Sequence, residues 1–112
     1  MHELGLTRGI VAACAERAQG RAVRVVRLKI GSFAGVELQA LRFCFELCAE
    51  GTLVEGAELA IEEIAGCGEC GECGARVSLD SPIAICPCER RARLKVVSGD
   101  ELMLESMEVD DV

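Results

Sequence analysis

The chain carries eight cysteines and a single histidine, and the spacing of five of the cysteines points to metal chemistry. Cys67, Cys70, Cys73, Cys86 and Cys88 fall in one short stretch, whereas Cys14, Cys44 and Cys48 are scattered through apolar sequence. Cys70-Gly71-Glu72-Cys73 and Cys86-Pro87-Cys88 form two close pairs separated by Gly74 to Ile85. Two thiolates set apart by a tight turn can point at one ion. A second turn, brought alongside by a short hairpin, supplies two more, which is the layout of a tetrahedral four-cysteine zinc site. Glycines relieve such turns sterically. The predicted Zn(II) ligands are Cys70, Cys73, Cys86 and Cys88. Cys67-x-x-Cys70 is a C-x-x-C as well, so Cys67 stands in reserve for the first pair. The second pair is one residue short, and Glu89 occupies the place of the standard fourth cysteine. A redox dithiol at Cys70 and Cys73 finds no βαβ surroundings to support it. The three scattered cysteines read as small buried hydrophobes.

The histidine is His2, beside the chain's first amine. The α-amine of Met1, the amide and imidazole nitrogens of His2 and the amide of Glu3 can all reach one ion. They form a square-planar nitrogen field suited to Ni(II) or Cu(II), without help from tertiary structure. The plain alternative is a frayed terminal side chain. Glu37 and Glu46 are acids that folding could bring to this site, and the sequence leaves that open.

Composition narrows the function classes. Of 112 residues 51% are hydrophobic and 28% charged, so a packed core is expected and disorder is not. Twelve basic residues against 19 acidic ones leave a formal net charge of −7. With three phenylalanines, no Trp and no Tyr, this argues against a nucleic-acid partner. No apolar run is long enough for a membrane, and no signal segment opens the chain. A cytoplasmic location with reduced thiols is therefore expected. An activated thiol enzyme would want a histidine beside its cysteine, and the only histidine is at the terminus. No paired carboxylates, phosphate-binding glycine loop or Ser/His/Asp set is evident, and no catalysis is expected.

The elements that must position these residues follow from periodicity. Leu6, Ile10 and Cys14 recur at helical spacing in a helix over 4–18, closed by Gln19-Gly20. Val26, Leu28 and Ile30 alternate with Arg27 and Lys29 in a strand over 23–30. A second helix over 37–49 carries Leu38, Leu41, Phe45 and Cys48 on one stripe. A second strand over 57–64 places Leu59 and Ile61 opposite Glu58 and Glu62. A glycine- and cysteine-rich segment follows, then a strand over 92–97, a turn at Ser98-Gly99-Asp100 and a long strand over 101–109. The basic run Arg90, Arg91 and Arg93 reads as a solvated strand face. The last strand outlasts its hairpin partner and is expected to reach back to the first sheet. The expected fold is α/β: a small mixed sheet with two helices, α-β-α-β plus a returning C-terminal strand, and a zinc-ribbon-like insertion lobe. Residues 1–64 with about 100–112 would form the α/β domain and 65–99 the zinc domain. Structural zinc contributes on the order of 10–16 kcal/mol, enough for so small a lobe.

Met1-His2-Glu3-Leu4, Val36-Glu37-Leu38-Gln39-Ala40-Leu41-Arg42-Phe43 and Gly51-Thr52-Leu53-Val54-Glu55-Gly56-Ala57 together resemble the HypA/HybF family of hydrogenase nickel-incorporation proteins. Cys70-x-x-Cys73-Gly74, Cys86-Pro87 and the end from Gly99-Asp100-Glu101-Leu102 to Glu108-Val109 match as well. The resemblance spans essentially the whole chain. It implies a nickel metallochaperone that holds Ni(II) at Met1, His2 and Glu3 and delivers it to the [NiFe]-hydrogenase large subunit. It also implies a separate zinc lobe, a maturation GTPase as partner and, for some members, service to urease. The family's second pair is normally C-P-x-C, whereas this chain has Cys86-Pro87-Cys88-Glu89, a one-position shift of the ligand. A zinc-ribbon adaptor that binds a protein or nucleic acid is the competing function.

Overall fold

A computed structural model describes residues His2–Asp111. Two helices and six strands run in the order α1 (His2–Arg17), β1 (Val23–Gly31), α2 (Leu38–Ala49), β2 (Glu58–Ile64), β3 (Cys67–Cys70), β4 (Arg76–Ser78), β5 (Leu94–Ser98) and β6 (Leu102–Val109). The strands form two three-stranded sheets, ordered β2-β1-β6 and β4-β3-β5. The C-terminal strand therefore returns to the first sheet, beside β1, as its length suggested. No helix among the described residues is long and apolar enough to cross a membrane.

The described residues divide into two compact units. One takes the chain up to Leu28, Val36–Glu62 and the chain from Met103. The other takes Lys29–Gly35 and Glu63–Leu102.

In the first unit the alternation of β1 holds. Val26 and Leu28 are buried while Arg27 between them is only half-buried, so one face of the strand enters the core. That core is completed by Ile10, Val11 and Cys14 from α1, and by Leu41, Phe45 and Ala49 from α2. Cys14 is fully buried and burial raises its thiol pKa, with Arg17 offsetting part of the rise. It behaves as an inert apolar group. Thr7 sits in the same apolar stripe without exposure. Its hydroxyl donates back to the carbonyls of Glu3 and Leu4 and lies 3.5 Å from the Cys48 sulfur. β6 is clipped to β1 by ion pairs Arg24–Asp110 (2.9 Å) and Arg27–Glu108.

Helix α1 begins at His2, two residues before the periodic pattern does. Its first turn is helical, and Glu3 within it is tied to a residue distant in sequence, as described below. At its other end the helix stops where Gln19 and Gly20 take left-handed backbone angles, φ 54° and 82°.

The second unit is built on β3, which pairs antiparallel with both β4 and β5. Cys70, Leu79, Cys86 and Leu94 form its buried core, with Phe33, Val77 and Val96 packed against them. Two of these four core residues are cysteines of the proposed ligand set. β5 begins at Leu94, later than the apolar pattern suggests, because Ala92 is held by the Cys86 backbone: the Cys86 N–H donates to the Ala92 carbonyl at 2.8 Å. Within this unit Gly31 is pressed against Gly99, and Phe33 N–H donates to the Gly99 carbonyl at 2.6 Å. A side chain at Gly31 would overlap the Gly99 carbonyl group, which is rigid backbone. Gly31→Ala is therefore expected to destabilise the fold by about 3 kcal/mol, the upper range of overpacking. Chemical denaturation should show it as a lowered midpoint.

Candidate metal centre

Of the five clustered cysteines, the fold brings four together. The sulfurs of Cys70, Cys73, Cys86 and Cys88 all lie within 4.8 Å of one another. Cys73 and Cys86 are 3.6 Å apart, and Cys70 and Cys88 are 3.9 Å apart. A zinc tetrahedron with bonds of ~2.3 Å has an edge of ~3.8 Å. The protein thus holds its sulfurs at the spacing that a tetrahedral thiophilic ion requires. All eight cysteines are free thiols.

Cys67 is outside this group, for a simple reason. Cys67 and Cys70 are the two ends of an extended strand, where three residues cover about 10 Å. Cys70 to Cys73 is instead a turn, closed by the Gly74 N–H on the Cys70 carbonyl at 2.9 Å. Only the turn lets two sulfurs converge. Glu89, in the standard place of a fourth cysteine, is exposed and lines a concavity of about 270 Å³ with Glu72, Cys73, Cys88 and Arg90. Cys88 fills the fourth corner.

The thiol acidities diverge across the cluster. The Cys70 thiol is held below the usual cysteine value, chiefly by the backbone N–H groups of Cys73 and Glu72. For Cys88 burial pushes upward but is outweighed by Cys86 and by the N–H groups of Arg90, Ala92 and Arg91, and its pKa falls to about 7. The N–H of Cys88 favours ionisation of Cys86. Burial and the neighbouring thiols overcome it, and the Cys86 pKa rises to about 12. Four crowded sulfurs cannot all be anionic on their own. A divalent cation would supply the missing charge and deprotonate its ligands.

The second site predicted from sequence lies at the start of α1. Met1 lies outside the described residues. His2 is exposed, and its Nε2 is 3.4 Å from the Glu3 carboxylate. Glu3 is buried, and its Oε2 accepts the backbone N–H of Glu37 at 3.1 Å. That N–H is the main reason the Glu3 pKa lies below the usual carboxylate value. The Glu3 backbone and the charge of His2 act in the same direction, against desolvation. Glu37 caps α2 through its own carboxylate, which accepts the Ala40 N–H at 2.6 Å. The acid left open by sequence is thus brought to Glu3, through its backbone. Glu46 lines a separate concavity with Arg42 and Phe45.

A four-cysteine cluster on a three-stranded sheet, with an exposed His2 at the start of the first helix of an α/β unit, defines a small metal-handling protein of two parts. The family profile described as "Hydrogenase/urease nickel incorporation, metallochaperone, hypA" matches residues 1–109, and the chain belongs to this family, whose members are metallochaperones, not enzymes. The hydrogenase maturation factor HypA of Nostoc sp. (strain PCC 7120) is 44% identical over 112 residues, covering 100% of this chain and 98% of that protein. The factor of the same name from Chlorobium limicola is 47% identical over 115 residues, covering 99% and 98%. The solution structure of the Ni metallochaperone HypA from Helicobacter pylori has the same fold, with a TM-score of 0.67 at 24% identity, covering 97% of each chain.

Proposed function

We propose that this chain carries Ni(II) on its N-terminus and delivers it to the [NiFe]-hydrogenase large subunit. The cargo ion is held by the Met1 amine, the His2 amide and imidazole, and the Glu3 amide. Zn(II), held by Cys70, Cys73, Cys86 and Cys88, is a structural ion. On this reading the α/β part, 1–64 with about 100–112, is the nickel domain, and 65–99 the zinc domain. The partners are the maturation GTPase of the hydrogenase pathway and the large subunit itself, in the cytoplasm, with neither nucleic acid nor membrane involved.

The observation that carries the reading is the placement of His2 and Glu3 in a family of nickel metallochaperones. His2 is exposed at the first position of α1. The buried Glu3 carboxylate, bonded to Glu37, keeps this turn in place. Glu3 therefore contributes its amide nitrogen, while its carboxylate is the tether. Four nitrogens along one strand of backbone can be displaced one at a time by ligands of the recipient, which suits release as well as binding.

Ni(II) titration of the chain with a free Met1 amine is expected to give one site per chain. A chain extended by a few residues before Met1 loses the amine as a ligand, and its affinity should fall by at least about 100-fold. Equal nickel binding by the extended chain would contradict the assignment. The adaptor reading accounts for the four sulfurs but gives His2 no task, and it predicts no difference between the two chains.

A further inference from the structure

Each half of the cysteine cluster has a turn closed on a cysteine carbonyl, and the second carries a residue of an unsuitable type at its left-handed position. In the first, Cys70 is followed by a loop that closes when the Gly74 N–H meets the Cys70 carbonyl (2.9 Å), with Gly74 at φ 76°. Glycine adopts that left-handed angle freely. The Cys73 amide donates to the Cys70 sulfur at 3.4 Å. In the second, the Arg91 N–H meets the Cys88 carbonyl, also at 2.9 Å, and Arg91 has φ 49°. Among the described residues only Gln19 and Arg91 are non-glycine with left-handed φ. Gln19 ends a helix, where that angle is routine. Arg91 does not.

We propose that Arg91 is the positioning residue for the fourth metal ligand: its left-handed backbone turns the chain back over Cys88 and makes good the residue missing between Cys86 and Cys88. The proposal rests on the zinc reading above. The reversal holds both cysteines of the short pair by their backbones: the Arg91 N–H donates to the Cys88 carbonyl at 2.9 Å, and at the far end the Cys86 N–H donates to the Ala92 carbonyl at 2.8 Å. A ligand whose backbone is fixed in this way stays directed at the metal, which slows its departure. The guanidinium takes no part. The Arg91 side chain is exposed and has no ion pair among the described residues, and it is Arg90 that reaches Glu72 (3.7 Å). Position 91 therefore acts through backbone preference alone.

The test is the rate at which the zinc-loaded full chain yields its metal to the chromophoric chelator 4-(2-pyridylazo)resorcinol. Arg91→Gly, which removes the steric penalty of the left-handed angle, should slow release about fivefold. Arg91→Val, β-branched and ill-suited to that angle, should speed release about tenfold. Arg91→Lys should match the unaltered chain. With Co(II) in place of zinc, the thiolate-to-metal charge-transfer band should lose intensity in Arg91→Val, as Cys88 is no longer held at the metal, and keep its intensity in Arg91→Gly. Equal release from the Gly and Val variants, or faster release from Gly, would overturn the proposal. If the Val variant does not fold, equal rates for Gly and Lys overturn it. A chain that retains no zinc in any form would instead remove the zinc reading beneath it.

Discussion

Cys73→Ala is expected to strip the zinc and unfold the smaller unit, while Cys67→Ala leaves both intact. Cys73 is the right residue to remove because it is exposed. Its truncation empties no core space, so any loss of stability reports the metal and not the packing. Cys70 and Cys86 would confuse the two, since both are buried in the unit's core. The effect should be large because that core is small. The cluster's other buried members are Leu79 and Leu94, and two buried leucines contribute about 3–6 kcal/mol together. Structural zinc contributes on the order of 10–16 kcal/mol in a comparable setting. Loss of one thiolate should therefore leave β3, β4 and β5 without the interaction that orders them. Zinc content by elemental analysis should fall well below one per chain, and the amide resonances of these strands should collapse toward random-coil positions. Cys67, half-buried at the start of β3, should lose about 1 kcal/mol or less on truncation and keep its zinc. Retention of zinc by Cys73→Ala together with its loss from Cys67→Ala would move the first pair to 67 and 70.

That contrast also shows what was legible from residues alone. Strand β1 and helix α2 announce themselves because burial imposes a period: Val26 and Leu28 alternate with charges, and Leu41, Phe45 and Ala49 recur along a helix. The return of β6 follows from length, since a strand longer than its hairpin partner must find another. The four ligands follow from spacing, because a turn leaves few ways to bring two sulfurs together. What stays hidden is set by partners remote in sequence or by backbone angles that side chains do not advertise. The start of α1 depends on Glu3 meeting the Glu37 amide, 34 residues away, and no local pattern encodes that meeting. β3 and β4 are strands by pairing and not by propensity, as Cys-Gly-Glu-Cys has little β character. The reversal at Arg91 is the hardest to foresee, because arginine is not a residue that marks a left-handed turn. The one hint is the short Cys86-Pro87-Cys88 spacing, which implies that something downstream must compensate.

His2→Ala should abolish stoichiometric Ni(II) binding and leave the zinc untouched. The imidazole is the one side-chain donor in the proposed nitrogen set, and it closes a chelate ring with its own amide. Loss of a supporting group near a metal weakens binding by roughly 10–100-fold. Loss of a ligand should exceed that, so the apparent affinity should drop by more than about 100-fold. The fold should not suffer, since the His2 side chain is exposed and enters no core. The pH dependence provides an independent check. Nickel displaces protons from the amine and the coordinating amides, so affinity must rise with pH, by about tenfold per unit for each proton released. The helix dipole stabilises the negative charge left on those amide nitrogens. Isothermal titration calorimetry in buffers of different ionisation enthalpy counts those protons directly. An unchanged nickel stoichiometry in His2→Ala would place the cargo elsewhere on the chain.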